Sequence, residues 1–129
     1  MAKNIKANVA IVSLGRVGSA FLEKFITKKM KGIKLVAVEI NPDAPGVKIA
    51  RKKRTPILTD INDLLAMGES LEIIFDLTGN EETRKKLRKG LLRSKNQNTV
   101  IAPEVIARLI WDLMAKGKKL PAVHSKKGY

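Results

Sequence analysis

A short apolar run, from Asn8 to Ser13, passes directly into Leu14-Gly15-Arg16-Val17-Gly18 and then into a helical pattern. In that pattern Phe21, Leu22, Phe25 and Ile26 recur on one side. A run so short and so continuously apolar reads as a strand covered on both faces, not as one face of an open sheet. Such a strand needs a layer of helices above and below it, so the rest of the chain must supply more strands with helices between them.

The remaining sequence does this. Lys34–Ile40 reads as a second strand, closed by the turn-rich Asn-Pro-Asp-Ala-Pro-Gly. A short helix runs from about Val47 and stops before Pro56. Residues 56–59 give a short third strand, and Asp60 is positioned to cap the helix after it. Leu71–Gly79 is the fourth strand, followed by a helix from Asn80 to Ser94 with acids in its first turn and bases behind them, as the helix dipole favours. Residues 98–102 form a fifth strand, and Pro103 opens a last helix at a first-turn position. The first helix ends near Met30, with Gly32 as its stop. With 129 residues the chain is long enough for one domain with a real core. The expectation is an α/β, doubly wound, three-layered parallel sheet of about five strands in the order 3-2-1-4-5. Residues 1–115 form that domain and residues 116–129 a basic, flexible tail.

The turn after the first strand carries the chemistry. In the pattern G-x-G-x-x-G the first glycine allows the tight turn and the second lets backbone approach a pyrophosphate. The third lets the helix pack close to the strand. Here those positions are Ser13, Gly15 and Gly18. Ser13 fits the first position at negative φ and is strained at positive φ. The free N–H groups at the start of the following helix supply anion donors in either case. Glu39, 21 positions beyond Gly18, stands where a carboxylate accepts hydrogen bonds from ribose hydroxyls and repels a 2′-phosphate, which favours NAD over NADP. The basic run Arg51–Arg54 reads as a solvated helix end, and Arg16 is the better phosphate candidate. Across the switch point, Thr78 and Gly79 close the fourth strand. Asp76 before them reads as a residue fixed by hydrogen bonds, not as an exposed acid.

These stretches resemble the N-terminal cofactor domains of the homoserine dehydrogenase, aspartate dehydrogenase and dihydrodipicolinate reductase superfamily, over about residues 7 to 102. The resemblance implies a Rossmann-like fold that binds NAD(P). It places Gly15, Arg16, Val17 and Gly18 on the pyrophosphate, Glu39 on the adenosine ribose, and Thr78 and Gly79 on the nicotinamide side. Those enzymes carry a second domain with the catalytic groups, to which nothing after residue 102 corresponds. The single histidine, His124, lies in the tail, and no metal-binding or nucleophile motif appears.

Three further features bear on function. The net charge is +14, with 26 bases against 12 acids. Arg84, Lys85, Lys86, Arg88, Lys89 and Arg93 crowd one helix, yet the near absence of aromatics favours a solvated face over a nucleic-acid surface. In the last helix Val105, Ile106, Leu109, Ile110, Leu113 and Met114 form a broad stripe, with Trp111 outside it. Trp111 then either marks an interface, making this helix the candidate contact of a homodimer, or lies over the edge of its own sheet. No stretch is long and apolar enough to insert in a membrane and no leader precedes the first strand, so a cytoplasmic location is expected. The leading reading is a stand-alone NAD(H)-binding module with a regulatory or accessory role. Two alternatives remain: a dehydrogenase or reductase subunit completed by a partner chain, or a basic nucleic-acid binder.

Overall fold

In the computed structural model, which describes residues 7–28 and 32–114, β1 (Ala7–Val12) is the central strand. Successive side chains of a strand point to opposite faces, and β1 fills two cores. Val9 and Ile11 join one with Phe21, Phe25 and Phe75, whereas Ala10 and Val12 join the other with Leu64, Leu71 and Leu87. Both faces are dry, which is why the strand is a continuous apolar run.

β2 (Ile33–Val38), β3 (Ile57–Leu58), β4 (Ile73–Asp76) and β5 (Val100–Ala102) complete a parallel sheet in the order β3-β2-β1-β4-β5. This is the expected order. Val12 stands beside Val38 on one side and Asp76 on the other, so the three central strands finish level. The connection reverses between β1 and β4, and the crevice outside their carboxyl ends is where ligands bind in sheets of this kind.

α1 (Arg16–Lys28), α2 (Pro45–Lys52) and α5 (Glu104–Met114) cover the Val9 face, while α3 (Ile61–Leu65) and α4 (Glu81–Arg93) cover the Val12 face. Local chemistry sets their starts. The Asp60 carboxylate accepts from the Asn62 N–H at 2.8 Å, and the Asn80 side chain accepts from Glu82 and Thr83. α2 begins at Pro45, two residues before the expected Val47, because proline's fixed φ suits a first helical position. The expected end of the first helix near Met30, the tail from Lys116 and His124 lie outside the described residues.

All three phenylalanines of the chain meet beneath α1. Phe21 packs edge-on against Phe25 and Phe75 at ring-centroid distances of 5.0 and 4.8 Å. Such geometry sets positive ring edges against negative faces and adds to the gain from burial.

α5 corrects one expectation. Its inward face is Ala107 and Trp111, the latter only 7% exposed, with the Lys24 ammonium 5.4 Å from the indole centroid. The aliphatic stripe is turned outward: Val105, Ile106, Leu109 and Leu113 are all exposed. Only a narrow line of α5 meets the sheet, beside the three-residue edge strand β5. Ala107 lets the helix come close, and the indole one turn later fills the space. Trp111 therefore packs over the edge of its own sheet and is not a contact held out to a partner.

Phe21→Ala should lower the unfolding free energy by about 3–5 kcal/mol, as for other buried phenylalanines. Urea denaturation followed by circular dichroism measures it, and a loss below about 1 kcal/mol would contradict the central role of the trio.

Candidate functional site

The turn between β1 and α1 is built on one close approach. A Cβ placed on Gly18 would overlap the backbone carbonyl of Ser13, so this position admits only glycine. Gly15 differs: a Cβ there would meet the Ser13 hydroxyl at 3.5 Å, an ordinary contact, and nothing else nearby. The turn needs Gly18 for its own packing, whereas Gly15 leaves open space in front of the first turn of α1.

Ser13 sits at φ 87°, the left-handed side where a Cβ is disfavoured and glycine is at ease. The negative φ that would suit a serine is not adopted. Two bonds offset the strain. The Ser13 N–H donates to the Val38 carbonyl at 2.8 Å, and its hydroxyl accepts from the Gly15 N–H at 3.3 Å. The first helical bond of α1 runs from the Ser19 N–H to the Gly15 carbonyl. The N–H groups of Arg16, Val17 and Gly18 precede it and have no carbonyl one turn back within the helix. Arg16 is exposed, and the Val17 side chain is buried in the core, so Val17 can offer a ligand its backbone only.

Glu39 follows β2 and ties three strand ends together. One carboxylate oxygen accepts from the Leu14 N–H at 2.7 Å and the other from the Asn41 N–H at 3.0 Å. The Glu39 N–H itself donates to the Leu58 carbonyl of β3. Each oxygen keeps a further lone pair, so acceptance from hydroxyls stays open to it. The place of this acid is legible in the sequence, whereas its bonds to the turn are not.

Beyond β4, Asp76 is fully buried. Its Oδ1 accepts from the Thr78 hydroxyl at 2.6 Å and the Thr78 N–H at 3.1 Å, and its Oδ2 accepts from Arg84 Nε at 2.9 Å. Asp76 is thus held by hydrogen bonds, as expected. Arg84 departs from expectation: it is 4% exposed and belongs to this buried pair, not to the solvated face of α4. Gly79, at φ 65°, turns the chain into the Asn80 cap.

A cavity of about 160 Å³ lies at the strand ends, and Ser13, Glu39, Thr78, Thr59 and Thr83 are among the residues lining it. It brings together Ser13, Glu39 and Thr78. Gly15, Arg16, Val17, Gly18 and Gly79 do not line it. A second cavity of about 320 Å³ shares Glu39, Ile40 and Thr59 with the first and adds Arg51 and Thr55. Arg51 is the residue that sequence reasoning set aside; its place one strand end from Glu39 depends on how α2 packs. Val12, Val38, Ile40 and Ile61 also line the first cavity and make its wall mainly apolar, so with the hydroxyls, one carboxylate and one guanidinium the pair suits a ligand that has apolar surface beside hydroxyl and anionic groups.

Substitutions at the turn separate its parts. Gly18→Ala should unfold or severely destabilise the domain, while Gly15→Ala should change stability by less than about 0.5 kcal/mol. Ser13→Gly should raise stability by about 1 kcal/mol through release of the left-handed serine. Thermal unfolding reads all three, and equal losses at both glycines would refute this division of roles.

No protein-family model matches the chain, and no curated protein matches it. Among solved structures it is similar to the homoserine dehydrogenase of S. aureus, at 18% identity and a TM-score of 0.57, over 88% of this chain and 30% of that one. It is also similar to a protein of Desulfitobacterium hafniense assigned as an NADPH-dependent oxidoreductase, at 16% identity and a TM-score of 0.56, over 94% of this chain and 36% of that one. The chain spans about a third of each of these proteins. With the strand order and the close-packed turn already described, the likeness establishes the fold as Rossmann-like: an α/β, doubly wound parallel sheet of five strands.

Proposed function

We propose that the chain is a nicotinamide-dinucleotide-binding module of the cytoplasm that prefers NAD(H) and has a regulatory or accessory role. The contrast between its two turn glycines carries this reading: Gly18 is closed against Ser13, while Gly15 is open where a Cβ would otherwise stand. A pyrophosphate fits there against Gly15 and the first-turn N–H groups of Arg16, Val17 and Gly18. Glu39 takes the adenosine ribose, and Thr78 and Gly79 bound the nicotinamide side. A 2′-phosphate would meet the Glu39 carboxylate, which favours NAD over NADP, although Arg51 in the neighbouring cavity narrows that preference. Bound NAD(H) supplies a hydride donor or acceptor. The chain's own residues bind and orient it, with Glu39 and Arg51 sharing the second cavity.

The module acts as a homodimer through α5, whose exposed Val105, Ile106, Leu109 and Leu113 supply the apolar surface. A second reading, a dehydrogenase subunit completed by another chain, rests on the similar proteins being about three times as long as the part matched here.

Calorimetric titration with NAD, NADH, NADP and NADPH tests the proposal. The two NAD forms should bind at least about tenfold more tightly than the NADP forms, and absence of all binding at millimolar ligand would sink it. Gly15→Val should abolish binding with the fold intact. Glu39→Gln keeps an oxygen for the Leu14 N–H and removes the charge, so it should narrow the gap between NAD and NADP.

A further inference from the structure

The lysines of α4 are not spread evenly over its outer surface. Arg84 turns inward to Asp76, and the acids of this helix sit at its start, so no acid occurs between Thr83 and Arg93. Lys85, Lys86, Lys89 and Arg93 line one side of a cavity of about 570 Å³ between α4 and α3. α3 can form the opposite wall because residue 90 is glycine: a Cβ there would run into the Leu65 side chain. Among the described residues the one acid lining this cavity, Glu82, stands 3.8 Å from the Lys85 ammonium, and both are well exposed. That pair is weak in water, so the groove stays strongly positive.

Lys85, Lys89 and Arg93 follow each other at four-residue intervals on one side of the helix, about 6 Å apart along its axis. This spacing is of the order of the separation of successive phosphates on a nucleic-acid strand. The groove is concave, which suits a strand better than a flat bilayer. Leu65 is the one hydrophobic side chain among the residues lining it, and none is aromatic, whereas protein partners anchor on aromatic or clustered apolar side chains. Phosphate binding needs charge alone. The aromatic rings Phe21, Phe25, Phe75 and Trp111 are buried on the opposite face of the sheet, so among the described residues no aromatic ring is there for bases to stack on.

We propose that the α3–α4 groove binds the phosphate backbone of a single nucleic-acid strand without reading its sequence. Binding and release follow counterion exchange, so affinity falls steeply with salt.

Fluorescence anisotropy of the full chain with a labelled single-stranded oligonucleotide of about 20 nucleotides, from about 50 mM salt upward, tests this. Four phosphate contacts give a slope of about −3 in log K against log salt. Lys85→Ala/Lys89→Ala/Arg93→Ala should weaken binding more than about tenfold at low salt and bring the slope to about −1. These side chains are exposed, and thermal unfolding checks that the fold is unchanged. Lys48→Ala/Lys52→Ala/Lys53→Ala removes the same charge from α2 and the residue after it and should leave affinity within about twofold. Three results would overturn the proposal: no binding at low salt, equal loss in both triple variants, or binding of anionic lipid vesicles or polyglutamate as tight as that of the oligonucleotide.

Discussion

The contact of the Gly18 backbone with the Ser13 carbonyl sets the position of α1, and much of the molecule follows from it. Because α1 lies so close to β1, Phe21 and Phe25 reach Phe75 on the neighbouring strand, and the aromatic trio closes. The same closeness carries the first turn of α1 to the level where β1, β2 and β4 end. A side chain at position 18 would push the helix outward, opening the core and withdrawing the first-turn N–H groups from the crevice. Packing and site geometry therefore rest on one missing methyl group.

Two carboxylates organise the crevice in different ways. Glu39 is half-buried and bonded to backbone N–H groups of two turns, so it fixes loops while keeping acceptor capacity. Asp76 is fully buried and committed to Thr78 and Arg84. Taking two charges out of water is costly, and removing one partner of such a pair is more costly still. The pair holds the Thr78–Asn80 turn at the β4 end to α4.

The strands and their order were legible because buried parallel strands are apolar without interruption, and the intervening helices carry caps and prolines with local meaning. The positions of Gly15, Gly18, Glu39 and Thr78 were legible for the same reason, since each is counted from a strand end. Three features were not. The sign of φ at Ser13 depends on how α1 seats against β1, and serine is compatible with either sign at a cost. The side of α5 that meets the sheet is not written in its aliphatic periodicity, which shows that a helix is two-sided without telling which side finds a neighbour. Arg84 is indistinguishable in the sequence from the solvated bases beside it, because its partner lies eight positions earlier on a different element and only the packing of α4 brings them together.

Dissolved ions reach the two sides of α4 unequally. At physiological ionic strength charges in water are screened over about 8 Å, but a pair enclosed by protein is screened much less. The Asp76–Arg84 bond is sealed beneath the helix, while the lysines on its outer side stand in solvent. The shape of the crevice at the end of β4 is therefore insulated from the ionic medium. One helix serves both as a rigid strut for the interior and as a surface whose pull on its surroundings varies with the medium.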